Sequence, residues 1–254
     1  MKIINRKLSE ITKVIRNTFE ENDFIEVFPP AFVKSSSING FKFLYNNELY
    51  VLEPDITERF LAEKFRDNPK IYYITRDCND SLNESLKAGA EYIIDDEINS
   101  NIEILKLIIN ILDNLGINRF NIDISLSNIF NKFKKLENGS GIISAMSSRN
   151  YLEVDNLDIS NSTRNEIANI MNKRTYKSGI EKLDVIIEKI NDERVIIDLG
   201  TVRQPAYYNG LIFEIYGTHE FIGGGGNYKI RNRNACGFSL NMEILYKLCE
   251  EVKK

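Results

Sequence analysis

The residues best suited to chemistry lie close together near the end of the chain. Between Ile197 and Tyr228, an arginine (Arg203) precedes a tyrosine pair, an apolar segment and four consecutive glycines, Gly223 to Gly226. Arginine can pair with a carboxylate in fork geometry, tyrosine hydroxyls orient polar ring atoms, and glycine lets the backbone approach a ligand closely. These are the parts needed to hold a small zwitterion with a planar side chain. The alternative is a strand pair joined by a flexible glycine turn, with Arg203 in solvent.

Other reactive residue types are scarce. The only histidine, His219, lies between two apolar segments and is predicted to be a turn residue rather than a catalytic base. The three cysteines, Cys78, Cys236 and Cys249, are odd in number and far apart, which indicates buried thiols rather than a disulfide framework or a zinc site. We therefore expect no metal and no cofactor.

Composition narrows the class of protein. The chain has 254 residues, is 43% hydrophobic and carries a formal net charge of −4 with both signs interspersed. It can bury a full core, and it lacks the basic face that nucleic acid requires. No run of about eighteen apolar residues is present, and the N-terminus lacks the apolar core of a signal peptide. We expect a cytoplasmic globular protein that binds neither nucleic acid nor membrane.

Periodicity predicts the elements that position these residues. Helices are predicted over the first twenty residues, from Asp55 to about Phe65, from Ile98 to Leu112 and from Met242 to Val252. Strands are predicted at 24–28, 41–44, 49–52, 71–75, 88–94, 119–125, 194–199, 208–216, 219–222 and 235–241. A mostly helical insertion is predicted at about 126–192. The pattern favours one α+β domain with a mostly antiparallel sheet flanked by helices.

The glycine run does not match the phosphate-binding fingerprints. It is followed by Asn227-Tyr228, so it is neither G-x-G-x-x-G opening a helix nor a Walker loop with its lysine. A nucleotide phosphate site is not predicted there.

Several motifs, in this order, resemble the histidyl-tRNA synthetase family. They are F-P-P, L-E-P-D-I-T, a strand ending Y-Y-I, K-A-G-A-E, V-R-Q-P-A-Y-Y-N, G-G-G-N-Y and C-G-F-S-L-N-M-E. The resemblance runs from about residue 8 to 252 and is most specific in the last sixty residues. It is closer to the short paralogues that serve as regulatory subunits of ATP phosphoribosyltransferase, and it implies the class II synthetase fold.

The resemblance also implies a site for L-histidine. Glu53 and Thr57 would lie in the loop that receives the α-amino group, and Arg203 would meet the carboxylate. Glu91 would be a carboxylate that contacts histidine, and Tyr208 and Tyr228 would reach the imidazole. The floor would be formed by Gly224, Gly225 and Gly226.

Departures from the family pattern concern the nucleotide side of the site. Asn79 stands where synthetases hold the α-phosphate of ATP with an arginine, and Ile244 stands where a second arginine is expected. Losing both cations would remove several kcal/mol of transition-state stabilisation, so adenylate formation is not expected and no catalytic residue is assigned. Lys87, counted among the histidine-site residues, replaces a usual glutamine near the imidazole and is expected either to weaken or abolish histidine binding or to point outward. The segment 204–206 also departs from the family.

By resemblance, the chain is a non-catalytic regulatory subunit of ATP phosphoribosyltransferase in histidine biosynthesis. It would be needed for activity of the short catalytic subunit, would mediate feedback inhibition by histidine, and would form a homodimer within a hetero-oligomer, with Phe28 to Phe32 near the dimer interface. Because the sequence ends directly after the core, no anticodon-binding domain is expected. The alternatives are a truncated synthetase-like enzyme and an orphan amino-acid-binding or assembly protein on the same fold.

Overall fold

The computed structural model describes residues 6–34, 40–53, 70–78, 83–93, 96–203, 208–230 and 233–251. The helices are α1 (Arg6–Glu20), α2 (Glu97–Asn114), a 3₁₀ turn (Ser127–Phe130), α3 (Asn131–Lys134), α4 (Gly139–Ser147), α5 (Tyr151–Asn156), α6 (Asn161–Met171), α7 (Glu181–Ile190) and α8 (Met242–Glu251). The strands are β1 (Ile25–Glu26), β2 (Phe32–Lys34), β3 (Phe41–Tyr45), β4 (Glu48–Leu52), β5 (Lys70–Cys78), β6 (Glu84–Ile93), β7 (Asn121–Leu126), β8 (Arg174–Thr175), β9 (Val195–Asp198), β10 (Tyr208–Tyr216), β11 (Phe221–Ile230) and β12 (Arg233–Asn241). The helix predicted from Asp55 to Phe65, with Thr57, and also Asn79 and 204–206, lie outside the described residues.

A nine-stranded sheet organises the chain. Its strand order is β1-β5-β6-β12-β11-β10-β7-β9-β8. The β1–β5 and β7–β9 pairs are parallel, and the other pairs are antiparallel. The predicted α+β class with a mostly antiparallel sheet is confirmed.

The main core lies between one face of this sheet and the helices α1, α2 and α8. Helix α1 buries Ile11, Ile15 and Phe19, whose spacing places them on one side of a helix. The ring of Phe19 stacks on that of Tyr72, with centroids 4.6 Å apart. Helix α2 begins at Asp96, whose side chain caps the first backbone N–H groups. These helices cover one face of the sheet, so the opposite face can carry a binding site.

A small second sheet has the order β2-β4-β3. Its hairpin turns at Asn46 and Asn47, with φ values of 50° and 60°. Two left-handed residues in a two-residue loop give a twist that matches the strands, which confirms the turn predicted there. Several large apolar side chains of this region and the adjoining segment are exposed: Phe28, Phe32, Leu44 and Tyr45.

Residues 127–190 are mostly helical and have their own buried cluster. It includes Phe130, Phe133, Ile142, Met146 and Ile167. The segment also supplies β8, a two-residue edge strand of the large sheet. The division of the chain into one domain with an insertion at 126–192 stays a prediction.

Several local predictions can be compared with the structure. Strand β11 runs from Phe221 to Ile230, so the four glycines lie inside a strand and the alternative of a glycine turn was wrong. The predicted strand at 219–222 was too short for the same reason. His219 lies in the bend between β10 and β11, so the turn predicted for it is confirmed, whereas the predicted start of the strand at His219 was wrong. The three cysteines are buried. No helix within the described ranges is long and apolar enough to cross a bilayer.

Candidate functional site

Strand register places several of the predicted site residues on the face of the large sheet opposite the main core. Side chains alternate along a strand, so Gly224, Gly226 and Tyr228 share a face. In the antiparallel pairing, Tyr208 lies opposite Tyr228, and Gly226 lies opposite Gly237. Residues directly opposite each other in neighbouring strands project to the same side.

The same register continues into β6. Gly237 lies opposite Glu91, and Ser239 lies opposite Gly89. Glu91 therefore joins the face that carries Gly224 and Tyr228.

Gly225 alternates onto the other face. A Cβ there would lie 2.8 Å from the ring of Phe213 and 2.8 Å from the Cα of Phe238, so this glycine lets the neighbouring strands β10 and β12 pack closely. Of the three predicted floor glycines, only Gly224 and Gly226 face the site.

The glycines on the site face make room for two charged side chains. A Cβ on Gly224 would lie 2.1 Å from Arg203 Nη1, and a Cβ on Gly237 would lie 1.8 Å from Glu91 Oε2. Real Cβ atoms essentially never approach other atoms this closely. Any larger residue at either position would displace the guanidinium or the carboxylate.

Two tyrosines use the same kind of floor. A Cβ on Gly226 would lie 3.0 Å from Tyr208 Cδ1, and one on Gly89 would lie 2.4 Å from the Tyr73 hydroxyl. The Tyr73 hydroxyl donates to the carbonyl oxygen of Phe238 at 3.3 Å. Aromatic rings thus lie directly against bare backbone beside the charged groups.

The Arg203 guanidinium contacts neighbouring side chains but does not use all of its hydrogen-bond donors. Its Cζ lies 5.4 Å from the centroid of the Tyr208 ring, and its Nη1 lies 3.8 Å from Glu214 Oε1, beyond hydrogen-bond distance. Arg203 Nε and Nη1 are buried and have no hydrogen-bond partner in the part of the chain that the structure describes. Buried donors in folded proteins are normally paired, so these N–H groups suit an incoming acceptor such as a carboxylate.

Glu91 and Tyr228 form a buried polar pair. The Tyr228 hydroxyl donates to Glu91 Oε2, and the two residues are 2% and 4% exposed, respectively. Burial, followed by the nearby Glu91 charge, raises the pKa of Tyr228 well above its ordinary value. Tyr228 therefore stays protonated as a donor, and its bond fixes the carboxylate that a ligand N–H group would meet.

Lys87 shares this face but lies away from Glu91. The two residues are four positions apart on β6, so their Cα atoms are separated by about 13 Å. Lys87 Nζ lies 4.0 Å from Asp77 Oδ2. Its charge is thus directed toward another carboxylate at the end of the strand rather than toward the Glu91–Tyr228 pair.

Glu53 occupies a strained position at the end of the small sheet. Its φ is 37°, in the left-handed region that favours glycine. Its N–H donates to the Ala31 carbonyl oxygen at 2.6 Å, and its own carbonyl oxygen accepts from Cys78 N at 2.8 Å. These backbone bonds join the small sheet to β5. The other predicted residue of this loop, Thr57, lies outside the described residues.

Sequence reasoning missed Gly237, Gly89, Tyr73 and Glu214. Gly237 and Gly89 stand in the motifs C-G-F-S and K-A-G-A-E, but only the strand register shows that both lie on the site face. Glu214 faces Gly224 across the β10–β11 pair, and its Oε2 accepts from the Tyr216 hydroxyl at 2.6 Å.

A row of ion pairs continues from Glu214 across the same face. Asp123 lies opposite Glu214 in the β7–β10 pair and accepts from Arg174 at 2.7 Å. Farther along, Asp198 accepts from Arg149 at 2.7 Å. Burial outweighs the attraction of Arg174 and raises the pKa of Asp123 to about 6.

The structure describes Arg76 and Ile244, two of the residues near which the resemblance would place nucleotide-binding cations. Arg76 alternates onto the face opposite Tyr73, lies across from Leu86, and its Nη1 is 3.8 Å from Glu84 Oε2. Ile244, in α8, packs against the main core. Neither residue supplies a cation beside Arg203.

Comparisons with known sequences identify proteins that this chain is similar to. A family model described as histidyl-tRNA synthetase matches residues 62–178 and 160–245. An ATP phosphoribosyltransferase regulatory subunit of Clostridium novyi is 24% identical, with 92% of this chain and 70% of that protein covered. A histidine–tRNA ligase of Methanococcus vannielii is 26% identical, with 88% of this chain and 66% of the ligase covered. The predicted resemblance is confirmed.

Solved structures show the same fold. A protein of Bacillus halodurans described as an ATP phosphoribosyltransferase regulatory subunit/histidyl-tRNA synthetase has a TM-score of 0.81 at 20% identity, covering 96% of this chain and 79% of that one. A chain of an ATP phosphoribosyl transferase complex from Thermotoga maritima has a TM-score of 0.77 at 20% identity, covering 95% and 98%. At these identities the likeness establishes the fold alone.

Proposed function

Because the chain belongs to the histidyl-tRNA synthetase family, we propose that its glycine-floored pocket binds free L-histidine. The observation that carries the proposal is the buried guanidinium of Arg203, in which Nε and Nη1 have no hydrogen-bond partner among the described residues, although Glu214 lies 3.8 Å away. Buried N–H groups of this kind need an acceptor, and the positive charge of the guanidinium favours an anion. The ligand carboxylate is that anion.

The imidazole binds at the other end of the pocket. Gly224, below Arg203, and Gly237, below Glu91, are two residues apart along the strand direction and one strand apart across the sheet. Strand geometry separates their Cα atoms by roughly 8 Å. An amino acid with a ring side chain spans the groups above them, so Glu91 accepts an imidazole N–H while Tyr228 holds the carboxylate in place.

The bound amino acid is proposed to act as a regulatory signal. Relatives of this chain are named regulatory subunits of ATP phosphoribosyltransferase, and one solved complex of that enzyme contains a chain of the same fold. We infer that this chain assembles with the short catalytic subunit in the first step of histidine biosynthesis, supports its activity and transmits feedback inhibition by histidine. Coupling of this kind amounts to about 1–3 kcal/mol between the two sites.

Catalysis by the chain itself is not part of this proposal. The absence of a cation at Ile244 and the placement of Arg76 on the far face support an amino-acid sensor rather than an adenylating enzyme. The family relationship keeps the truncated synthetase as the second candidate, since a relative is named histidine–tRNA ligase.

Two further parts of the proposal concern assembly and place. Exposed Phe28 and Phe32, which are 83% and 54% exposed, support a homodimer formed near this segment, because large apolar side chains at a surface favour a partner. The dimer would form part of the hetero-oligomer with the catalytic subunit, in the cytoplasm.

Calorimetry tests ligand and partner together. L-Histidine is titrated into the full chain with and without the catalytic subunit, and the mixture is sized by light scattering. We expect saturable heat and a mixed complex, with histidine binding abolished by Arg203→Ala. Arg6→Ala is the matched control, because the Arg6 side chain is 94% exposed on α1. Absence of both heat and complex would overturn the proposal, and binding without a complex would favour the orphan amino-acid-binding protein.

Pyrophosphate exchange separates the sensor from the enzyme. The proposal predicts no histidine-dependent exchange between ATP and labelled pyrophosphate by the purified chain. Sustained exchange that is lost in Arg203→Ala would establish the truncated synthetase instead.

A further inference from the structure

A polar cavity lies on the face of the sheet opposite Arg203 and Glu91. It has a volume of about 330 Å³ and is lined in part by Asn227, Lys229 and Asn234. Strand alternation puts Asn227 and Lys229 on the face opposite Tyr228, and Lys229 lies directly across from Asn234. The volume is at the lower end of the range for small-molecule sites, about 300–1,000 Å³.

The floor of this cavity carries an unsatisfied acceptor. Asn227 is 2% exposed, and its Nδ2 donates to Glu97 Oε1 at 2.7 Å. A carboxylate only accepts hydrogen bonds, so this contact fixes the orientation of the amide and turns Oδ1 away from Glu97. Asn227 Oδ1 is buried and has no partner within the described part of the chain. A ligand N–H or O–H group would complete it.

The surrounding residues favour an anion. Lys182 donates to Glu97 from the first turn of α7, and Lys229 supplies a second ammonium group at the edge. Two ammonium groups against one carboxylate leave a single excess positive charge among these lining side chains. Exposed asparagines, including Asn128 and Asn234, provide further donors and acceptors around the opening.

A glycine keeps the cavity open. Gly210 has a φ of 124°, and a Cβ there would lie 2.7 Å from Glu97 Oε1 and 3.3 Å from Asn227 Cβ. A side chain at this position would therefore collide with the hydrogen-bonded Asn227–Glu97 pair that lines the cavity.

We propose that this cavity binds a small anion, a carboxylate or a phosphate, that also carries hydroxyl or amide donors. A donor group meets Asn227 Oδ1 at the floor, and the anionic group lies toward Lys182 and Lys229. Asn227 and Lys229 lie on the face opposite Arg203 and Glu91, and Tyr228, which belongs to the proposed histidine site, also lines the cavity.

Two probes with the same three-carbon skeleton show whether the cavity prefers a carboxylate or a phosphate. Glycerate and glycerol 3-phosphate are titrated into the full chain without histidine, by ligand-observed NMR and calorimetry. Glycerol, which lacks charge, and propionate, which lacks hydroxyl groups, are the controls. We expect saturable binding of glycerate or glycerol 3-phosphate that is at least about tenfold tighter than that of either control, the size of one to two hydrogen bonds.

Substitutions of the lining residues test whether the probes bind in this cavity. Asn227→Ala and Lys229→Gln should each weaken the better probe by about tenfold. Lys247→Gln, at an exposed lysine of α8, should leave it unchanged. If Asn227→Ala does not fold, Lys229→Gln decides the matter. No saturable binding of either anion, or binding that both variants leave unaltered, would overturn the proposal.

Discussion

The substitution Gly237→Ala should weaken histidine binding strongly while the chain still folds. The added Cβ would lie 1.8 Å from Glu91 Oε2 and 2.6 Å from Glu91 Cδ. Because the nearest atoms are the end of a flexible side chain, Glu91 can rotate away, but it then loses the hydrogen bond from Tyr228. The carboxylate would no longer be held where the imidazole N–H needs it.

The size of the effect follows from the lost contacts. A hydrogen bond to a charged group contributes about 1.5–3 kcal/mol, which corresponds to about 10- to 150-fold in the dissociation constant. The same Cβ would also lie 2.9 Å from the carbonyl oxygen of Ala90. A small strand shift should therefore lower the free energy of unfolding by about 1–3 kcal/mol.

Calorimetry with L-histidine and urea unfolding measure the two effects separately. Gly141→Ala is the matched control, since this glycine lies in α4 and its added Cβ would meet only the end of the Leu157 side chain, at 3.1 Å. It should bind histidine normally and gain up to about 1 kcal/mol of stability from helix propensity. If Gly237→Ala is folded and binds histidine within twofold of the wild type, the reasoning about the glycine floor is refuted.

Three further predictions rest on single residues. Tyr228→Phe leaves a buried oxygen of Glu91 without its donor, so chemical unfolding should show a loss of about 1–3 kcal/mol; an unchanged midpoint would contradict the pairing. Asp123 has a pKa of about 6 when folded and about 4 when unfolded, so its contribution to stability is fully present below pH 4 and is lost as the pH rises to 6. In the wild type, Asp123 should make the free energy of unfolding fall by roughly 2–3 kcal/mol between pH 4 and 6, and Asp123→Asn should remove this fall. If urea unfolding gives the same pH dependence for both proteins, the pKa of Asp123 is not raised in the folded state. Asn47→Gly relieves a left-handed turn position and should raise the thermal midpoint modestly, by the equivalent of about 0.5 kcal/mol; a lower midpoint would count against the turn geometry.

Local patterns were sufficient to predict most elements of the fold. The amphipathic spacing of α1 and the apolar run of β10 specified those elements within a few residues. The glycine tract was harder, because glycine has no side chain to display a strand period, and the predicted strand ended at residue 222 while β11 continues to Ile230. Its pairing with β10 and β12 on both sides keeps it extended.

The site depended on information that single segments do not contain. Arg203 and Glu91 were predicted from family motifs, whereas Gly237 enters the site only because β12 pairs with β6 in one particular register. A register shift of one residue would move Gly237 to the other face. The same fact explains Gly225, which motif matching assigned to the floor and which the pleat turns toward Phe213.

The most direct test of the account is a crystal structure of the chain grown with L-histidine. The account predicts the ligand carboxylate on the buried N–H groups of Arg203 and an imidazole nitrogen on Glu91, with Tyr228 still bonded to that carboxylate. Histidine bound elsewhere on the chain, or a pocket that stays empty at saturating histidine, would contradict it.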